Sequence, residues 1–124
     1  LTFSGEFVFP SSWVVTPKYL RENEDKVVRF LKGLHKAMDY RKEHLDEVVQ
    51  YVAELNDIPV DSVMQEKETG EWLTGAEVRQ HFADGTAKKW YEQQQELFLE
   101  NGAVEQRVPV EDYVRFDLPE KAAP

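Results

Sequence analysis

Residues 24–42 read EDKVVRFLKGLHKAMDYRK, and this stretch carries the strongest structural signal in the chain. Its apolar residues recur at steps of three and four, namely Val27, Phe30, Leu31, Leu34 and Met38. That spacing places them on one face of an α-helix, and the acidic pair Glu24 and Asp25 suits the positive end of its dipole. The pattern predicts an amphipathic helix over roughly 24–42. Just upstream, Thr16-Pro17 is a hydroxyl cap followed by a helix-opening proline, which predicts a short helical turn through Leu20.

Further helices are predicted downstream. A second apolar stripe comprises Leu45, Val48, Val49, Val52 and Leu55. Asn56-Asp57 ends it, and Pro59 opens a short helix that leads into a polar loop over 66–71. Thr74-Gly75-Ala76-Glu77 is a capping box, which predicts a helix start. A last stripe from Ala87 to Phe98 ends at Asn101-Gly102, a helix stop, and the tail after Pro109 is either a short helix or an extended arm.

The opening residues have a different pattern. Phe3, Gly5, Phe7 and Phe9 alternate, which is strand periodicity, and Trp13-Val14-Val15 is a second β-prone run. Two short strands do not form a stable sheet alone, and the chain opens at Leu1 without methionine, so we expect a C-terminal piece of a longer protein. The predicted fold is mainly α, with about five helices and one or two short strands. Residues 1–16 form a strand or hinge segment, 17–118 a helical part and 119–124 a frayed tail.

Composition excludes several classes of function. The 124 residues carry a formal net charge of −9 with dispersed acidic groups, which argues against nucleic-acid binding. The chain has no cysteine, so disulfides, thiolate metal sites and cysteine catalysis are excluded.

No chemical motif points to an enzyme. His35, His44 and His81 lack metal-ligand spacing and are interpreted as surface or packed side chains. Glycine-rich phosphate loops and a GxSxG context for serine are absent, so we predict no catalytic residue, no metal and no cofactor. Trp72 and Trp90 are interpreted as packing residues. Trp13 is left open between a core position and the lining of a ligand cleft or hinge.

Several segments, in order, resemble one family: 14–25 (VVTPKYLRENED), 44–49 (HLDEVV), 90–102 (WYEQQQELFLENG) and 108–114 (VPVEDYV). They resemble substrate-binding proteins of ABC transporters of the nitrate/sulfonate/taurine class (the NMT1/THI5-like group). The resemblance implies a two-lobed α/β parent of the type II periplasmic-binding class, of which this chain is the C-terminal portion. It also implies a small solute such as a sulfonate, taurine or nitrate, a membrane permease as partner, and a periplasmic or extracellular location.

Within that resemblance, Ser11, Ser12 and Trp13 are the residues expected near the ligand cleft or hinge, and most other ligand contacts would lie upstream. A cut lobe would expose apolar surface, so the isolated chain is expected to form a homodimer. Two alternatives remain open: a free-standing helical protein-interaction module, and an enzyme domain whose site the sequence does not reveal.

Overall fold

The computed structural model describes residues 8–124, apart from the side chain of Glu68. Helices make up 68% of this part of the chain. The α-helices are α1 (Pro17–Glu43), α2 (Leu45–Asn56), α3 (Val60–Glu66), α4 (Gly75–Ala83), α5 (Thr86–Glu100) and α6 (Leu118–Lys121). Short 3₁₀ turns occupy Lys67–Thr69 and Val110–Asp112. The prediction of a mainly α chain is confirmed, with six α-helices in residues 8–124 rather than about five.

The prediction of a strand at Trp13-Val14-Val15 is wrong. No strand occurs between residues 8 and 124, and these three residues form an extended lead into α1. β-propensity reports how well a side chain fits a paired, half-buried surface, and no partner strand lies beside this segment. The other predicted strand, Phe3–Phe9, lies outside the described residues except for its last two positions, which are not in a strand.

Helix α1 is broken near its start. Thr16 caps it, with Oγ1 accepting from the backbone N–H of Tyr19 at 3.2 Å, and Pro17 follows as predicted. Asn23 has non-helical backbone angles (φ −141°, ψ 33°), and its Nδ2 donates to the Tyr19 carbonyl at 3.2 Å. The side chain therefore competes for backbone groups at this point. The predicted division into a short turn and a long helix from Glu24 is confirmed.

Helices α2 and α3 form a corner with its own small core. Asp57 ends α2 in the left-handed region (φ 53°), and Ile58 donates to the Ala53 carbonyl at 3.1 Å. The turn brings Val63 of α3 onto α2, where it joins the buried cluster with Val49 and Ala53. The predicted stop and restart of the helical pattern are confirmed.

Helix α4 begins directly against α1. The capping box is present: Thr74 Oγ1 accepts from the Glu77 backbone N–H at 3.2 Å, and Glu77 Oε2 accepts from the Thr74 N–H at 2.7 Å. The next residue, Gly75, is buried, and a Cβ built there would lie 2.5 Å from the Cβ of His35. Glycine at this position therefore allows the two helices to touch.

The C-terminal segment differs from the frayed tail predicted for 119–124. It contains α6, which packs on α1 and α4, and Leu118, Pro119 and Ala122 are buried. The Lys121 Nζ donates to Glu24 of α1 at 2.7 Å. Burial and this long-range ion pair hold a segment whose sequence alone is typical of a loose end. In the part of the chain that the structure describes, none of the helices combines the length and the apolar character needed to cross a membrane.

Candidate functional site

The segment before α1 bridges two helices. The Phe9 ring lies 6.1 Å from that of Phe98 on α5, and the Ser12 hydroxyl shares a hydrogen bond of 2.7 Å with the Tyr91 hydroxyl. Trp13 packs edge-on against Phe30 of α1, with ring centroids 5.2 Å apart. The structure therefore brings Ser12 and Trp13 onto the surface between α1 and α5.

This surface is accessible rather than buried. Ser11 and Ser12 are exposed, Trp13 retains 72% of its surface and Val14 retains 91%. A core position for Trp13 is thereby excluded, because its only packing partner among the described rings, Phe30, is itself half exposed. We call Trp13, Val14 and Phe30 the N-terminal apolar surface. A role in ligand contact for Ser11, Ser12 and Trp13 stays a prediction.

The other two tryptophans pack within the chain. Trp72 donates from Nε1 to the Lys67 carbonyl at 2.7 Å, and the Arg41 guanidinium lies 4.9 Å from its ring centre. Trp90 is half-buried and stands edge-on to His81 at 4.9 Å. These contacts agree with packing roles.

A second site, which sequence reasoning missed, surrounds His35. Four residues of α1 and one of α4 line an open cavity of about 310 Å³, which we call the His35 cavity: Lys32, His35, Lys36, Asp39 and Arg79. The C-terminal segment forms its remaining wall through Ala122 and Pro124. The cavity therefore exists only where α1, α4 and the chain end meet.

The electrostatics of His35 follow from this position. Its side chain is almost fully buried, with 4% of its surface exposed, and Nδ1 lies 3.2 Å from the Arg79 guanidinium. Burial lowers the pKa of His35, and the Arg79 charge lowers it further, while Asp39 opposes the shift. The imidazole is consequently neutral near pH 7, and it is a hydrogen-bonding group rather than a fixed charge.

A third polar group has a structural explanation. Tyr40 and Tyr51 both donate to the Glu47 carboxylate, at 2.5 and 2.6 Å, and these bonds lower the pKa of Glu47. An ionised carboxylate held by two phenols ties α1 to α2, and it is poorly suited to donate a proton. Among residues 8–124, no group of three or more His, Cys, Asp and Glu side chains converges as a metal site would require.

A sequence signal for the His35 cavity does exist. Lys32, His35, Lys36 and Asp39 are spaced by three and four residues, so they share one face of a helix. The glycine after the Thr74 cap is a sign of close helix contact. The sequence does not indicate that these two features meet.

Comparison with known proteins finds similarity to proteins named for binding. The chain is 35% identical over 68 residues, 52% of its length, to a Bacillus subtilis (strain 168) protein named "Putative aliphatic sulfonates-binding protein". It is 23% identical over 115 residues, 93% of its length, to a Brucella abortus (strain 2308) protein named "Putative binding protein", and similarly named proteins of Brucella suis and Brucella melitensis match equally well. These names describe binding proteins rather than enzymes.

The similarity covers only part of each relative. The chain spans 20% of the length of the Bacillus protein and 36% of that of the Brucella abortus protein. No family model and no solved structure matches the chain. The sequence resemblance to solute-binding proteins is thus supported at the level of a binding-protein relationship, and the finer assignment stays a prediction.

Proposed function

We propose that this chain is the C-terminal portion of a solute-binding component of an ABC importer. The observation that carries the proposal is the similarity over 115 residues, nearly the whole chain, to a Brucella abortus protein named for binding. The matching segment is about a third of that relative, so solute capture would belong to a longer two-lobed protein. Such a protein would lie in the periplasm or outside the cell and deliver its solute to a membrane permease.

The proposed solute is a small anion such as a sulfonate, taurine or nitrate. The name of the Bacillus subtilis relative, which specifies aliphatic sulfonates, supports the first of these. We place Ser11, Ser12 and Trp13 at the cleft or hinge of the longer protein. Their exposure in this chain supports that placement, because two hydroxyls and an accessible indole remain available to a ligand or to the other lobe. Capture and closure need no nucleophile, and we propose no enzymatic role.

The test uses a chain extended upstream to the length of the relatives. Ethanesulfonate, taurine and nitrate are titrated into it by isothermal titration calorimetry. We expect saturable binding of at least one anion and weaker binding after Trp13→Ala. The matched control is Trp72→Ala, since Trp72 is also about half exposed but contacts Arg41 and Lys67 instead. Failure of all three anions to bind, or equal effects of the two substitutions, would contradict the proposal.

A second candidate is a helical interaction module, and the N-terminal apolar surface favours it. Large exposed apolar groups promote association, so we expect the isolated chain to form a homodimer through this surface. Light scattering should give a dimer mass for the chain and a monomer mass after Trp13→Ser with Val14→Ser. The control is Leu55→Ser, because Leu55 is 86% exposed on α2.

The extended chain separates the two candidates. A dimeric short chain beside a monomeric extended chain would support a lobe whose apolar surface is covered by upstream residues. A monomeric short chain at all concentrations would contradict the dimer. If the extended chain also left the N-terminal apolar surface accessible, the interaction module would become the better explanation.

A further inference from the structure

The cations of the His35 cavity have no acidic partner. Lys32 and Lys36 are one helical turn apart on α1, and Arg79 faces them from α4. None of the three takes part in an ion pair among residues 8–124, although Arg29, Lys42, Lys88, Arg107, Arg115 and Lys121 all do. Three unpaired cations around one cavity are unexpected in a chain of net charge −9.

The buried histidine adds a fourth donor. Arg79 is always protonated and donates, so Nδ1 of His35 must accept the hydrogen bond between them. The neutral imidazole therefore carries its proton on Nε2, where it has no partner among the described residues. Lys32, Lys36, Arg79 and His35 thus present donors, and their natural complement is an acceptor-rich group.

The single carboxylate in the wall is already engaged. Asp39 Oδ1 accepts from the backbone N–H of Gly75 at 2.9 Å, which fixes it toward the start of α4. It cannot neutralise three cations, so the cavity keeps an excess of positive charge. The opposite wall is different in character, because Ala122, with only 2% of its surface exposed, and Pro124 present apolar atoms.

We propose that the His35 cavity binds a small organic anion, with its oxyanion head on Lys32, Lys36 and Arg79 and a short apolar body against Ala122 and Pro124. A volume of about 310 Å³ is at the lower end of the range for small-molecule sites. The proposal does not rest on the proposed function, because every group involved belongs to this chain and none lies in the segment before α1.

The experiment is a nuclear magnetic resonance titration of the 124-residue chain with butane-1-sulfonate at constant ionic strength. The signals followed are the His35 ring, the Arg79 Nε–H and the Ala122 amide. Inorganic sulfate and butan-1-ol are titrated in parallel, because one has only the charge and the other only the apolar body. We expect saturable shifts with butane-1-sulfonate, weaker binding of sulfate and no shifts with butan-1-ol.

Two double variants decide whether the cavity is responsible. Lys32→Gln with Lys36→Gln should weaken butane-1-sulfonate binding by about tenfold or more, since it removes two charge-assisted contacts. Lys18→Gln with Lys26→Gln removes the same charge from exposed positions of α1 outside the cavity and should leave the affinity unchanged. Circular dichroism confirms that both variants remain folded.

The contrary results are equally defined. Equal loss of affinity in the two double variants would mean that diffuse charge attracts the anion, and the proposal would be wrong. The absence of saturable shifts in the unaltered chain would also overturn it. Butan-1-ol shifting the same signals would show an apolar pocket without anion recognition, and sulfate binding as tightly as butane-1-sulfonate would remove the organic part of the proposal.

Discussion

Gly75→Ala tests whether α1 and α4 touch as closely as the structure indicates. A methyl group at this position would lie 2.5 Å from His35 Cβ, 2.9 Å from its Cα and 3.0 Å from its carbonyl oxygen. Carbon atoms prefer separations of about 3.5–4.0 Å, so the helices must separate by roughly 1 Å. Two of the three opposing atoms belong to the α1 backbone, which cannot rotate away as a side chain can.

The cost follows from three opposing contributions. Overpacking of this kind costs about 1–3 kcal/mol. Separation of the helices also stretches the 2.9 Å hydrogen bond from Gly75 to Asp39, a bond that contributes on the order of 1 kcal/mol. Alanine returns up to about 1 kcal/mol through its greater helix propensity. We therefore expect a net loss of about 1–3 kcal/mol, which lowers Tm by roughly 4–12 °C for a chain of this size.

The assay is urea and thermal unfolding of Gly75→Ala beside Gly33→Ala. Gly33 lies in the middle of α1, and a Cβ there would meet nothing within 4 Å. This control should gain about 0.5–1 kcal/mol, because only the propensity contribution remains. If Gly75→Ala were as stable as the unaltered chain, the close contact between α1 and α4 would be refuted.

Three further predictions concern single side chains. Thr74→Ala removes the cap of α4 and should cost about 1 kcal/mol in urea unfolding; in nuclear magnetic resonance titration the pKa of Glu77, which is about 2 because Thr74 and then Lys42 hydrogen-bond to its carboxylate, should rise, and an unchanged value would contradict the capping box. Because the folded-state pKa of His35 is lowered, its contribution to stability is complete above the unfolded pKa of about 6.5 and is lost as pH falls toward the folded value; unfolding between pH 7 and 5 should show this decline, and His35→Gln should flatten it, whereas equal slopes would indicate an accessible histidine. Leu55→Asn should change the free energy of unfolding by less than about 0.5 kcal/mol, because this leucine is 86% exposed, and a larger loss in thermal unfolding would place it in a contact that the structure lacks.

The features that the sequence predicted correctly are local ones. The Thr16-Pro17 start, the Asn56-Asp57 stop and the Thr74 capping box each depend on hydrogen bonds within about four residues. Such signals act before tertiary contacts form, so they can be read from neighbouring residues. The break at Asn23 belongs to the same class, because its side chain bonds to a carbonyl four residues earlier.

The features that were missed depend on distant partners. Trp13-Val14-Val15 has the composition of a strand, but no second strand lies beside it. The tail after Leu118 is ordered by contacts with α1 and α4, more than thirty residues away in sequence. The His35 cavity likewise requires α1, α4 and the tail to meet. Of the candidate site, the sequence placed Ser12 and Trp13 correctly in an irregular accessible segment, but it gave no sign of their contacts with Tyr91 and Phe30.

The ion pairs at Glu24 have a consequence for the order of folding. They join α1 to Arg115 and Lys121, which are 91 and 97 residues away, so nearly the whole chain must be ordered before they can form. Contacts of such high sequence separation carry a large loop-closure entropy and belong to the late part of the folding reaction. Interactions that are absent from the transition state leave the folding rate unchanged and slow unfolding. The Glu24 pairs therefore act on the lifetime of the native state, and they hold the two ends of the chain together while it lasts.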